Sequence, residues 1–173
     1  MIDTTTAPRR SLRFRCLGCL REELDRIDAA HRDATLRTTG NWNSGEILDH
    51  CAILFETGLD GSNSTLPWYV RAMGRLMRPL ILSPKAPPMR PGIKLPADAK
   101  EILPRPGVTF EDGMARMRRA LARLERGERM SHPSPWLGPL THDQWVRINL
   151  SHTQMHLGFM TYAGAEDGRP GVR

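Results

Sequence analysis

Apolar residues recur at spacings of three and four in four separate stretches, and this periodicity constrains the fold more than any other feature. The stretches cover approximately residues 11–31, 44–60, 110–126 and 142–163. Such spacing places the apolar side chains on one face of a helix, and that face has to be buried against a neighbour. No stretch shows the alternation of a half-buried strand. The sequence therefore predicts an all-α fold, a four-helix bundle.

Capping residues mark the starts of three of these helices. Asn43 with Glu46, and Thr141 with Gln144, have the spacing of capping boxes, in which two residues satisfy each other's backbone N–H groups. Thr109 is placed to cap the third helix, and two acidic residues follow it in the first turn, where negative charge suits the helix dipole.

A proline-rich crossover separates the second helix of the bundle from the third. Residues 79–106 contain eight of the fourteen prolines, so no long helix or strand forms there. We expect the apolar, basic stretch before it, 68–82, to be helical as far as Pro79. A stiff connector and a functional lid are both compatible with the prolines. Apolar residues favour packing against the bundle, at a pocket mouth or a dimer contact: Ile81, Leu82, Met89, Ile93, Leu95, Ile102 and Leu103.

Length and composition limit the classes of protein to consider. A chain of 173 residues indicates one domain, 1–173, with a loose tail at 1–9 and a frayed tail at 165–173. The net charge is +6, but only 6% of residues are aromatic and acidic residues occur in all four amphipathic helices, which argues against nucleic-acid binding. No apolar run could span a membrane, and the first residues do not form a signal peptide.

The cysteines are the basis for a predicted location. Cys16, Cys19 and Cys51 are odd in number, and the first two fall inside a predicted helix with no second pair to complete a zinc cage. We interpret all three as reduced, small apolar residues, which favours the cytoplasm.

Three histidines occupy positions on the apolar faces of the helices. His152 and His156 are four residues apart, so both rings lie on one face of the last helix, and His50 lies on the apolar face of the second. A buried imidazole costs free energy unless its ring nitrogens find partners. Each histidine could find a separate hydrogen-bond partner, but three together favour a shared divalent ion. Three neutral imidazoles leave such an ion an open position, as in catalytic sites.

Two segments resemble the DinB-like (DinB/YfiT) superfamily of metalloenzymes. The stretch 42–50, with Trp42, Glu46 and His50, resembles the W-s-x-x-E-x-x-x-H start of that family's second helix. The stretch 132–156 resembles its H-P-x-x-G-x-L-T loop and the H-x-x-x-H of its last helix. With the helix pattern, the resemblance covers most of the chain except residues 1–9 and the proline-rich segment.

The resemblance implies a fold, a metal and a type of reaction. The fold would be an up-down-down-up four-helix bundle, often a homodimer. A divalent metal, zinc, nickel or iron, would be held by His50, His152 and His156. Relatives with known chemistry act on small molecules through low-molecular-weight thiols or are metal-dependent hydrolases. The chain could therefore be a thiol transferase-like enzyme, a hydrolase, or a non-catalytic helical interaction module with a structural metal, and no catalytic acid or base is identified.

Other residues are weaker candidates for a role in the site. Glu46 and Asn149 lie one turn before histidine ligands and could orient the imidazoles, but a helix cap and a buried amide are the explanations that we favour. We place His31, His132 and His142 on the surface or in loops, with His132 a candidate for fixing a loop. The residues expected to meet an acidic thiol cofactor are Trp68, Arg71, Arg75 and Arg78.

Overall fold

Helices make up most of the computed structural model, which describes residues 2–63, 66–83, 86–92 and 103–165. The prediction of a mainly helical chain is confirmed. Two short strands, β1 (Arg37–Thr38) and β2 (Met160–Thr161), pair antiparallel and join the segments that follow the first and last helices. The described part of the chain has five helices: α1 (Leu17–Arg32), α2 (Ser44–Asp60), α3 (Trp68–Ile81), α4 (Phe110–Glu125) and α5 (His142–Leu157).

The predicted caps of α2, α4 and α5 are confirmed. Asn43 Oδ1 accepts the backbone N–H of Glu46, and the Glu46 carboxylate accepts that of Asn43, both at 2.9 Å. Thr141 and Gln144 form the same reciprocal pair at the start of α5. Thr109 caps α4 by accepting the N–H of Asp112 at 3.2 Å. Each helix therefore begins where a side-chain oxygen satisfies an otherwise unpaired backbone donor.

The predicted start of α1 at Ser11 is wrong, because the helix begins at Leu17. The preceding arm is bound elsewhere: the Arg10 N–H donates to the Gly158 carbonyl at 2.8 Å, and its side chain donates to the Met160 carbonyl at 2.6 Å. Arg10 also forms a buried ion pair with Glu23 at 2.7 Å. These bonds to the end of α5 hold the arm outside the axis of α1.

The prediction that all three cysteines are reduced is also wrong, since a disulfide joins Cys16 and Cys19. The sequence pattern places both residues inside a helix, whereas Cys16 is the extended N-cap residue and Cys19 lies in the first turn, with their Cα atoms 5.3 Å apart. This separation is within the range that a disulfide spans. Cys51 is buried and free, as expected. The cytoplasmic location therefore loses the support that it drew from reduced cysteines.

Helix α3 is additional to the four amphipathic helices of the predicted bundle. It ends at Ile81, two residues past its predicted end at Pro79. Pro79 lies inside its last turn, where the missing N–H removes a single helical hydrogen bond. Gly74 is its one buried residue, and a Cβ there would overlap Trp136 in the loop before α5. Most of the large side chains of α3 are exposed, so this helix lies on the surface of the molecule.

The core lies between the other four helices. Both α1 and α2 pack against α4 and α5, and α2 is the most deeply buried of the four. At the crossing of α2 and α4 the two backbones touch: a Cβ on Gly113 would overlap the Gly45 carbonyl, and one on Gly45 would overlap the carbonyls of Val108 and Thr109. Only glycine fits at both positions.

The described ends of the proline-rich segment contact the rest of the protein. Ile81, Leu82 and Met89 pack against the core, as expected, whereas Leu103 is exposed, contrary to the prediction. At the other end, the Gly107 N–H donates to Glu46 Oε1 at 2.9 Å. Residues 84–85 and 93–102, which include three of the apolar residues expected to pack, lie outside the described residues. The lid role of this segment stays a prediction.

Loose or frayed tails are predicted at both ends of the chain, at 1–9 and 165–173. The arm that we expected to be loose forms hydrogen bonds with the segment after α1: Ile2 pairs with the side chain of Asn41, and the Thr39 hydroxyl donates to the Pro8 carbonyl. At the other end, residues 166–173 lie outside the described residues. None of the helices described is both long and apolar enough to cross a membrane.

Replacing Gly113 by Ala is expected to destabilise the protein by about 1–3 kcal/mol, because the new Cβ forces α4 away from α2. The measurement is the free energy of unfolding in urea. Gly18→Ala in α1 is the matched control, since the nearest atom to its Cβ would be Cys16 Sγ at an ordinary 3.7 Å. Equal stability of the Gly113→Ala variant and the wild type would contradict the close helix crossing.

Candidate metal centre

Two packed helices bring the three predicted ligands together. His50 comes from the middle of α2 and is 7% exposed. His152 and His156 lie one turn apart on α5 and are half-buried. Because α2 and α5 pack against each other, the rings of all three residues meet at their interface. The predicted juxtaposition of these histidines is therefore present in the structure.

The distances between the rings suit a single small ion. One ligand nitrogen from each histidine can be chosen so that all lie within 4.8 Å of one another. The closest pair, Nε2 of His50 and Nε2 of His152, is 3.2 Å apart. Two nitrogens bound to zinc at about 2.0–2.1 Å in tetrahedral geometry are roughly 3.3 Å apart. The observed spacing fits two ligands of one ion, although a hydrogen bond between neutral imidazoles would have the same length.

Burial keeps two of these imidazoles neutral. Burial, with a smaller contribution from the neighbouring His50, lowers the pKa of His152 to about 3. Burial also lowers the pKa of His156 well below its usual value, with smaller contributions from His152 and His50. A neutral imidazole has the free lone pair that a metal requires. His152 and His156 are therefore held in their ligating form at neutral pH.

One ring nitrogen is left without a partner. The buried Nδ1 of His152 has no hydrogen bond to any residue that the structure describes. The other nitrogen of this ring, Nε2, faces His50 Nε2. An ion bound through Nε2 would leave the buried Nδ1 unpaired, so this nitrogen is a free-energy cost of the site with or without a metal.

Trp42 forms one wall of the site, a role that the sequence analysis did not assign. Its ring is stacked on His156 at 5.4 Å with an interplanar angle of 20°, and lies 4.8 Å from the ring of His50. Trp42 immediately precedes Asn43, the cap of α2, so the start of that helix fixes its position. The indole restricts movement of two of the three imidazoles. The signal was present, because Trp42 is part of the motif that begins the second helix.

Asp49, the neighbour of His50, is a second residue that the sequence analysis missed. Its carboxylate is completely buried and pairs with Arg116 of α4 at 2.7 Å and Arg105 at 2.8 Å. Burial raises the pKa of Asp49, but the hydrogen bonds from both guanidinium groups outweigh it and leave the pKa below its ordinary value. Arg116 also pairs with Glu56 at 2.6 Å. This network joins α2, the helix that carries His50, to α4 and to Arg105.

The two residues proposed to orient imidazoles have other contacts. Both Glu46 oxygens accept backbone N–H groups, from Asn43 and Gly107, so this side chain caps α2 and holds the residues before α4. Asn149 is fully buried, and its amide nitrogen donates to Met130 Sδ at 3.3 Å. These contacts agree with the helix cap and the buried amide that were the alternatives for each residue.

The remaining histidines lie outside the cluster. His31 stacks on Phe110, with ring centroids 3.8 Å apart, and its Nε2 contacts Glu111. His142 Nδ1 accepts the N–H of Met130 at 3.1 Å. His132 fixes its loop through its backbone, because its carbonyl accepts the indole N–H of Trp145 at 2.9 Å. The structure therefore separates the three cluster histidines from the three surface or loop histidines, as predicted.

The arginines expected to meet an acidic cofactor line a separate cleft. Arg71 and Arg75 face the loop before α5 across a cleft of about 370 Å³, with Trp136 on the opposite side. The three histidines are not among the described residues that line it. Arg78 donates to the Pro139 carbonyl at 2.6 Å, and Trp68 is exposed. Nothing in this arrangement joins these side chains to the candidate metal centre.

Comparison with known proteins gives the chain a family. The model of the family described as "Protein of unknown function (DUF1569)" matches residues 6–163. The chain belongs to this family. No curated protein and no solved structure matches it. The match contains all five helices and the three histidines, but the family description names no activity, so a function has to be argued from the site.

We expect acid to destabilise the metal-free protein between about pH 6.5 and pH 4. In this range the unfolded histidines, with a pKa near 6.5, bind protons that folded His152 excludes, so the free energy of unfolding falls as the pH falls. Each such group contributes a slope of up to about 1.4 kcal/mol per pH unit. Urea unfolding at about pH 7 and pH 5.5 measures this slope.

The variant His152→Gln should show a smaller loss of stability over that interval, because it removes one of the titrating groups. His132→Gln, which replaces an exposed loop histidine outside the cluster, is the control for the loss of a histidine as such. A His152→Gln variant with an unchanged slope would show that His152 is not held neutral.

Proposed function

We propose that the protein is a metal-dependent enzyme in which His50, His152 and His156 hold one divalent ion, zinc, nickel or iron, and that it acts on a small-molecule substrate. The observation that supports this proposal is the convergence of three imidazoles from two packed helices. Such an ion keeps its full charge and an open position, where it lowers the pKa of a bound thiol or water.

The surrounding residues hold the proposed ligands in place. Trp42 stacks on His156 and covers one side of the cluster. The ion pairs of Asp49 with Arg105 and Arg116 fix α2 on the side away from α5, so His50 keeps its direction. His50 and His152 are already close enough to share an ion. Little rearrangement is needed on binding, which favours affinity.

The proposed reaction follows the resemblance to the DinB-like superfamily. In this proposal α1, α2, α4 and α5 correspond to the up-down-down-up bundle, with α3 and the proline-rich segment in the crossover between α2 and α4. The packing of α1 and α2 against α4 and α5 supports this correspondence. A thiol transferase-like activity with a low-molecular-weight thiol is our first candidate, and metal-dependent hydrolysis is the second.

A homodimer in the cytoplasm is part of the same proposal. The observation that supports a contact between copies is the apolar face of α3, where Trp68 is 78% exposed and Leu76 is 80% exposed. Exposed apolar surface of this kind is typical of interaction sites. It is equally compatible with a non-catalytic helical interaction module, in which any metal would be structural. A three-ligand site favours the enzyme, because structural zinc sites have four protein ligands.

Protein purified without a histidine tag is expected to bind about one equivalent of Zn²⁺ or Ni²⁺. His152→Ala should lower the affinity at least about tenfold, because it removes a ligand, whereas His142→Ala should not. A Cys16→Ser/Cys19→Ser variant should bind like the wild type, which excludes the cysteines as ligands. Metal analysis and titration are the measurements. Less than about a tenth of an equivalent, with no uptake on titration, would contradict the metal site.

The thiol and water versions of the reaction can be separated with the Co²⁺-substituted protein. If a thiol binds the ion, millimolar glutathione, bacillithiol or mycothiol should change the d–d absorption spectrum, because sulfur replaces an oxygen ligand. The Cys16→Ser/Cys19→Ser variant is used, so that the thiols act only at the metal. If none of the three thiols changes the d–d spectrum, the transferase version is ruled out and hydrolysis is left as the enzyme candidate.

A further inference from the structure

The disulfide between Cys16 and Cys19 lies at the start of α1, in the sequence Cys16-Leu17-Gly18-Cys19. Cys16 is the extended N-cap residue, and Cys19 lies in the first turn. The residues between and after them are anchored: Leu17 packs against the core, and Leu20 is completely buried. Both sulfur atoms are therefore held together at a fixed point on the surface.

The two cysteines differ in their access to solvent. Cys16 is exposed, whereas Cys19 is half-buried. Exchange between a thiol and a disulfide requires the incoming sulfur to approach along a free path to one sulfur atom. Cys16 offers that path, and Cys19 is the sulfur that would leave.

The surroundings of the pair favour negative charge on sulfur. The N–H of Cys19 donates to Cys16 Sγ at 3.1 Å. The first turn of α1 contains no acidic residue, and the exposed Arg13 and Arg15 lie just before it. The positive end of a helix and neighbouring arginines stabilise a thiolate. The hydrogen bond acts on Cys16, which would therefore be a good leaving group in an exchange that releases it.

A purely structural role explains the pair poorly. The disulfide closes a loop of only four residues, so it restricts the unfolded chain much less than a long-range disulfide does. The start of α1 already fixes the backbone of both cysteines, so the disulfide is not needed to hold that backbone in place. The remaining thiol, Cys51, cannot exchange with them, because it is completely buried in the core. The pair is thus both accessible and isolated.

We propose that Cys16 and Cys19 form a redox-active pair that exchanges with external thiols. An external thiolate attacks Cys16 Sγ, the bond between Cys16 and Cys19 breaks, and Cys19 leaves as a thiolate. A second external thiolate attacks the external sulfur of this mixed disulfide and releases Cys16. Two external thiols are oxidised to one external disulfide, and the pair gains two electrons and two protons. The exchange uses no residue of the candidate metal centre.

The test measures the oxidation state of the pair in the native protein. The purified wild type is equilibrated with defined ratios of reduced and oxidised glutathione, or with reduced thioredoxin, and free thiols are trapped with a maleimide of high mass. Two thiols should appear together and reversibly, while Cys51 reacts only after denaturation. Reduction by glutathione identifies a small thiol as sufficient, and reduction by thioredoxin alone identifies a protein dithiol. A native disulfide that neither reduces, although both reduce the denatured chain, would overturn the proposal.

Single variants test which cysteine exchanges with the external sulfur. They use the reverse reaction, in which the remaining free cysteine attacks oxidised glutathione. Cys19→Ser should accumulate a mixed disulfide between Cys16 and glutathione when treated with oxidised glutathione, as mass spectrometry shows. Cys16→Ser should form the corresponding adduct on Cys19 at least about tenfold more slowly, because that sulfur is less accessible. Equal rates for the two variants, or a faster reaction at Cys19, would contradict the assignment of Cys16 as the attacked sulfur. Circular dichroism verifies that both variants remain helical.

Discussion

The buried charge of Asp49 is the constraint on which the placement of α2 depends. This carboxylate is completely inaccessible, and its negative charge would be strongly unfavourable without the guanidinium groups of Arg105 and Arg116. Arg116 belongs to α4, and Arg105 to the end of the proline-rich segment, so one carboxylate joins three parts of the chain. The adjacent residue, His50, points about 100° away around the helix, towards α5. The ion pairs on one side of α2 thus fix the direction of a proposed metal ligand on the other.

The candidate metal centre combines this placement with the burial of three imidazoles. Protein packing around His152 and His156 excludes their charged forms, as their lowered pKa values show. The free energy of folding therefore includes the cost of holding polar rings in an apolar interface, one of them with an unpaired Nδ1. A bound divalent ion would offset part of that cost through its bonds to the ring nitrogens that meet in the cluster. The burial of converging imidazoles thus costs free energy in the metal-free protein and also provides the ligands for a metal.

The sequence predicted those parts of the structure that depend on local patterns. The caps at Asn43, Thr109 and Thr141 and the i, i+4 pair of histidines are local features, and all are present. The missed disulfide is local, because Cys16 and Cys19 are three positions apart. The error at the start of α1 and the missed role of Asp49 arose where contacts distant in sequence decide the conformation. The arm before α1 leaves the helix axis because Arg10 bonds to residues beyond α5, and no local pattern predicts that. No local pattern singles out Asp49, since its two arginine partners lie 56 and 67 positions away.

X-ray absorption spectroscopy of the zinc-loaded protein tests the central claim most directly, because it counts the ligands and identifies their elements. We expect three imidazole nitrogens at about 2.0–2.1 Å, completed by one or more non-imidazole oxygen or nitrogen ligands and no sulfur. The His50→Ala variant should lose one imidazole from that shell. A shell that contains sulfur, as binding to Cys16 and Cys19 would produce, or that has fewer than two imidazoles, would contradict a metal centre formed by His50, His152 and His156.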